Sequence, residues 1–187
     1  MPMIFETVYM RNLLLKKVII FAALYTGEAG AQDWANLKRY QQLNAQLTLP
    51  KPSEHRVVYM GDSITEFWKN NDSTFFSAKP YLNRGISGQT TGQMLLRFRQ
   101  DVIGLKPAVV VILAGINDIA QNNGPATVEE IYGNLISMAE LARDNHIKVV
   151  LASLLPAFRL PWRPAIDPVP QIKRLTECFR HMLTKIT

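Results

Sequence analysis

The run Ala108-Val-Val-Val-Ile-Leu-Ala114, bounded by Pro107 and Gly115, constrains the fold more than any other stretch. It is continuously apolar, short and rich in β-branched residues, as expected of a central strand in a parallel sheet covered on both faces. It ends at Gly115-Ile116-Asn117-Asp118, which puts a polar residue, Asn117, at the carboxyl end of a strand. Asn117 also fits an Asx-turn or a helix cap.

A second strand-like run, Val57 to Met60, breaks at Gly61-Asp62-Ser63 and continues with Ile64, Phe67 and Trp68 at helical spacing. A strand, a tight turn and a helix start would leave Ser63 at the carboxyl end of a strand, the edge where open α/β sheets bind ligands. A serine there can be a nucleophile whose own backbone N–H helps hold an oxyanion. Ser63-x-x-Glu66 equally reads as a capping box, which is purely structural.

The elements alternate along the chain. Asp33 to Leu47 reads as a lead-in helix with Trp34, Leu37, Leu43 and Leu47 apolar, ended by Pro50-Lys51-Pro52. After the first strand, Asn70 to Lys79 is polar and turn-like, with Phe75 and Phe76 as anchors. Tyr81 to Ile86 reads as a short strand running into Gly85-Ile86-Ser87-Gly88, followed by a helix over Thr91 to Leu105. The glycines let backbone N–H groups approach a ligand, yet the loop matches neither phosphate-binding pattern. A capping box at Thr127-x-x-Glu130 opens a helix to about Asn145, and a strand over Lys148 to Leu155 follows. Pro156 to Pro164 is a loop carrying Phe158 and Trp162, and Pro170 to Lys185 reads as a final helix. This β-α alternation predicts a three-layer α/β/α sandwich with a parallel sheet.

Bulk properties exclude several classes. At 187 residues and 48% hydrophobic content the chain has one-domain length and enough apolar mass for a core. Its net charge of +6 comes from dispersed basic residues without an interleaved aromatic stripe, so nucleic-acid binding is not expected. The single cysteine, Cys178, excludes an internal disulfide, and His55, His146 and His181 have no ligand spacing. No metal and no cofactor are predicted. From Met10, a basic stretch (Arg11, Lys16, Lys17), a short apolar run (Val18 to Leu24) and Ala29-Gly30-Ala31 fit an export signal. Residues 1–31 are therefore read as an extension with a signal peptide cleaved near Ala31, and 32–187 as the domain. That reading predicts a periplasmic or secreted protein without a membrane span.

Gly61-Asp62-Ser63-Ile64, Gly88 within Gly85-Ile86-Ser87-Gly88, and Gly115-Ile116-Asn117-Asp118 stand in the order and spacing of the SGNH (GDSL-like) hydrolases. From about His55 onward the chain resembles that family. The resemblance implies a sheet order of 2-1-3-4-5, as in flavodoxin-like folds, and an esterase or lipase acting through a covalent acyl-enzyme on a small-molecule ester. It implies that Ser63 is the nucleophile. The oxyanion donors would be the Ser63 N–H, the Gly88 N–H and the Asn117 amide. Asp62, Phe158 and Trp162 are candidates for substrate contact. The family's fourth motif, Asp-x-x-His after a fifth strand, has no counterpart: Cys178 stands three residues before His181. The expectation is a C-terminally incomplete, weak hydrolase whose exposed fourth strand promotes self-association. The alternatives are a non-catalytic relative that binds acylated or glycan ligands, and a plain α/β module in which Ser63 and Asn117 are only caps.

Overall fold

The computed structural model describes residues 33–186, with side chains as far as Arg180. The predicted export segment lies outside the described residues. Four parallel strands, β1 (Val57–Gly61), β2 (Tyr81–Gly85), β3 (Val109–Leu113) and β4 (Lys148–Leu151), form one sheet in the order β2-β1-β3-β4. The expected α/β fold and the first four positions of the expected order are present.

Strand alternation sorts the side chains into two faces. Val58, Met60, Val110 and Ile112 are buried on one face, and Val149 and Leu151 pack beside them. This face is sealed by Met94 and Phe98 of a helix over Thr91–Asp101 and by Ile131, Leu135 and Met138 of a helix over Val128–Asp144. Ile172, Leu175 and Phe179 of the last helix, Val169–Ile186, complete the core. These are the inward residues that helical periodicity predicts; Met182 and Leu183 lie beyond the described side chains.

The other face is covered unevenly, which corrects the expectation for β3. Tyr59 on this face meets the rings of Trp68, Phe75, Phe76 and Tyr81 at centroid distances of 5.5 to 5.7 Å. Edge-to-face pairs of this kind each contribute about 0.5–1.5 kcal/mol beyond area burial. The cluster roofs β1 and β2 only. Val109 and Val111 stay half-buried, and Val150, the partner of Val111 on β4, is 49% exposed.

Several boundaries differ from the sequence reading. The lead-in is a helix only over Gln41–Ala45 (α1), and Trp34, Leu37 and Leu43 are exposed while Ala35 and Tyr40 are buried. Asn36 takes a left-handed φ of 54°, and the side-chain amides of Gln93 and Gln100 capture the Trp34 and Leu37 carbonyls at 2.6 Å. Those bonds hold the segment in turns against the Thr91–Asp101 helix. The stretch after the Ser63–Asn71 helix (α2) contains a short helix, Ser73–Ser77 (α3), because Asp72 caps it through Phe75 N–H and Thr74 Oγ1. The Thr91–Asp101 helix (α4) passes into a 3₁₀ turn at Ile103–Leu105, ended by Lys106 in the left-handed region. β4 ends at Leu151, where Ala152 N–H to Ile112 O is the last ladder bond. Ile116–Ile119 (α5), Val128–Asp144 (α6) and Val169–Ile186 (α7) complete the described helices.

β4 pairs on one side only among the described residues, and an apolar edge strand templates intermolecular pairing. Concentration-dependent self-association is expected in size-exclusion chromatography with light scattering. Val150→Glu should shift the population toward monomer without lowering the melting temperature, since the side chain is half in solvent. An unchanged size distribution would refute the edge as its cause.

Candidate active site

Parallel strands deliver their carboxyl ends to one edge. The register aligns Gly61 with both Gly85 and Leu113, so the three stretches that follow β1, β2 and β3 emerge side by side. Ile86 N–H bonds Gly61 O at 3.0 Å and carries the pairing one step beyond the strands. This edge collects Ser63, Gly88 and Asn117.

Ser63 is the first residue of α2 and is half-buried. The capping reading of Ser63-x-x-Glu66 does not hold. Asp62 is the cap: its Oδ1 accepts from Ile64 N–H at 3.0 Å. Glu66 instead accepts from Ser87 N–H at 2.7 Å and from Arg39 Nη2 at 2.8 Å. The Ser63 hydroxyl therefore stays out of capping, and its N–H belongs to the helix's first turn, which has no intrahelical acceptor. The turn is also tightly seated. A Cβ at Gly85 would lie 2.2 Å from Glu66 N and 2.8 Å from Asp62 O, so β2 must end on glycine for α2 to start where it does.

Gly88 sits at φ +76°, a conformation glycine adopts without strain. Its N–H has no acceptor among the described residues, while its carbonyl accepts from Asn122 Nδ2 at 3.2 Å. Asn117, on α5, is buried. Its Nδ2 donates to Gln89 O at 3.0 Å and its Oδ1 accepts from Asn122 Nδ2 at 3.0 Å. One N–H of the Asn117 amide is left over.

A buried polar frame behind these groups was not visible in the sequence. Arg97, fully buried on α4, donates to Gln89 Oε1 at 2.6 Å, Asp101 Oδ2 at 3.0 Å and Gly61 O at 3.3 Å. Gln89 Nε2 then reaches Ala35 O at 2.7 Å. Asp118 accepts from Thr91 N–H at 2.9 Å and Thr91 Oγ1 at 2.6 Å, which anchors the start of α4. An arginine four residues before an aspartate on a predicted helix was the only advance signal for the Arg97–Asp101 pair.

Burial dominates the electrostatics. It lifts the Asp62 carboxyl to about 6, against the Ile64 N–H bond that favours the anion, and nearby Asp118 adds to the rise. Asp62, expected to touch substrate, is buried, and its Oδ2 has no hydrogen-bond partner among the described residues. Burial also raises Asp118, opposed by its bonds from Thr91, and lowers Arg97, opposed by Asp101.

Two of the three histidines stand elsewhere. His55 precedes β1 and His146 precedes β4, so both lie toward the amino edge, opposite Ser63. His181 is on α7, outside the described side chains. Phe158 is 88% exposed and Trp162 53% exposed, on the loop that leaves the carboxyl end of β4, with Leu154 and Leu160 buried as its anchors.

Comparison with known proteins agrees with this geometry. The model of the GDSL-like Lipase/Acylhydrolase family matches residues 59–185. A solved structure from Bacteroides fragilis, provisionally described as an acylhydrolase, shares 50% identity and a TM-score of 0.80 over 82% of this chain and 74% of its own. A GDSL-like lipase of Bacteroides thetaiotaomicron shares 48% identity and a TM-score of 0.78 over 81% of this chain and 75% of its own. The uncharacterised lipoprotein YqeF of Bacillus subtilis is 36% identical over 78 residues, which are 40% of this chain and 32% of that protein. The chain thus spans about a third of the length of that curated relative.

The Asp62 shift sets a pH dependence. Its folded value lies above the unfolded one, so between about 4 and 6 the folded protein holds a proton that the unfolded chain gives up. Stability then falls as pH rises through that window, by at most about 3 kcal/mol for a shift of this size. Asp62→Asn keeps a cap oxygen for Ile64 N–H and removes the titration. The melting-temperature difference between variant and parent should grow in the variant's favour from pH 4 to pH 7. A constant offset across that range would refute the assignment.

Proposed function

Because the chain belongs to the GDSL-like lipase/acylhydrolase family, we propose that it is a serine ester hydrolase in which Ser63 attacks the ester carbonyl. The observation that carries this reading is that the Ser63 hydroxyl, left out of capping by Asp62, shares one sheet edge with the Gly88 N–H, unpartnered among the described residues, and the spare N–H of Asn117. The Ser63 oxygen bonds the carbonyl carbon, and the carbonyl oxygen takes the negative charge. Ser63 N–H, Gly88 N–H and the Asn117 amide stabilise that oxyanion. The alcohol leaves with a proton, and water then hydrolyses the acyl-serine and restores Ser63.

The proton on Ser63 is the weak point. No histidine side chain among the described residues stands at this edge, and a serine without a base beside it is a poor nucleophile near neutral pH. Catalysis of this chain then rests on the oxyanion donors and on binding, which in triad hydrolases leave roughly 10³–10⁴-fold over water. Short acyl esters, such as those on a carbohydrate, are the substrate class proposed, with Phe158 and Trp162 as exposed contact surfaces.

The sequence around Met10 to Ala31 supports export, as does the description of the Bacillus subtilis relative as a lipoprotein. Among the described residues no helix is long and apolar enough to cross a membrane. The same lack of a described histidine at the edge favours one alternative, a protein that binds acylated or glycan ligands without turning them over.

Excess short-chain aryl ester separates the two. Acylation of Ser63, read by mass spectrometry, with slow turnover that Ser63→Ala abolishes, is the expected result. Asn117→Ala should lower the Ser63-dependent rate by about 10²–10³-fold, the usual effect of removing one oxyanion donor. Ligand binding without acylation, or turnover indifferent to Ser63→Ala, would reject the hydrolase reading.

A further inference from the structure

We propose that Asn122 is a positioning residue that sets two of the three oxyanion donors at once; this rests on the hydrolase reading above. Asn122 follows α5 in a tight turn, with Gln121 at a left-handed φ of 55° and Asn122 N–H on Asn117 O at 3.0 Å. That turn brings its side chain back between the Gly88 loop and Asn117. An amide nitrogen has two hydrogens. Asn122 Nδ2 gives one to Gly88 O at 3.2 Å and the other to Asn117 Oδ1 at 3.0 Å. No hydrogen remains for a substrate, so Asn122 does not contact the oxyanion itself.

Each bond has a geometric consequence at the site. Holding Gly88 O restrains the Gly88–Gln89 peptide, one side of the residue at φ +76° whose other side carries the Gly88 N–H. Holding Asn117 Oδ1 while Gln89 O takes one hydrogen of Nδ2 pins both ends of the Asn117 amide. The second Nδ2 hydrogen is then the donor that this amide has left to offer. Without Asn122, Asn117 is held at its nitrogen alone, and the Gly88–Gln89 peptide only by Gln89 N–H on Ile86 O at 3.3 Å. Preorganised donors stabilise an oxyanion because they need not reorient as charge develops.

Asn122 is half-buried, outside the hydrophobic core, at an ordinary backbone φ, so alanine there leaves the fold intact. For Asn122→Ala, kcat for a short-chain aryl ester should fall about tenfold with KM unchanged, one neutral hydrogen bond's worth of orientation. Asn122→Asp should lose more, because its acceptor-only carboxylate would face and repel both the Gly88 O and the Asn117 Oδ1. In the Asn117→Ala background, adding Asn122→Ala should cost less than it does alone, since the shared partner is gone. The readout independent of chemistry is the Asn117 side-chain amide in ¹H–¹⁵N spectra, identified by its loss in Asn117→Ala. Asn122→Ala should move this signal and speed its exchange with solvent.

Additive losses, an unchanged kcat, or an unmoved Asn117 amide would overturn the positioning role. A parent protein without Ser63-dependent turnover would instead reject the hydrolase reading. The amide signal would still decide whether Asn122 holds Asn117.

Discussion

One guanidinium organises the site. Arg97 is fully buried, and its three bonding directions reach the carbonyl that ends β1, the Gln89 side chain beyond Gly88, and Asp101 on its own helix. Burying a charge is costly unless it is paired and its donors are satisfied. Asp101 supplies the counter-charge, and Asn44 at 2.6 Å completes the other carboxylate oxygen. Two neutral acceptors take the remaining directions. Breaking such a pair from one side typically costs about 3–5 kcal/mol, because the survivor is left buried and unpaired. A lysine would present a point charge where a planar fork is needed. The strand that leads into Ser63 and the loop that carries Gly88 are thus bound to one rigid group.

From Gln89 the frame divides. Its side chain runs to Ala35 in the lead-in segment, which ties residues before β1 to the far edge of the sheet. Its backbone oxygen receives Asn117, which ties in the end of β3. The proposed oxyanion donors therefore follow three different strands, yet they are held by a short chain of buried polar contacts rather than by the apolar core. The tight seating of α2 on Gly85 adds a steric limit on the same turn.

Asp62 shows what the arrangement costs. Its cap frees the Ser63 hydroxyl and leaves one buried oxygen without a partner. Burial then favours the protonated carboxyl and makes stability decline as the group ionises. A buried polar atom without a partner is rare in a folded protein, and this one stands next to the proposed nucleophile.

The sequence by itself determined the layers and most of the edge. Continuous apolar runs and helical periodicity sufficed for four strands and the long helices, because burial follows pattern. Glycine breaks at Gly61, Gly85 and Gly115 marked where strands stop, so Ser63, Gly88 and Asn117 could be assigned to one side of the sheet. Where a single competing contact decides, the pattern was insufficient. Glutamine side chains and Asn36 held the lead-in in turns despite its helical spacing. An aspartate one residue earlier took the cap from Ser63. The uneven cover over β3 depended on how far the Tyr59 aromatic cluster reaches. The roles of Arg97, Gln89 and Asn122 belong to the tertiary structure alone. Their bonds span from 4 positions (Arg97 to Asp101) to 54 (Gln89 to Ala35), and hydrogen-bond geometry at long range leaves no trace in local composition.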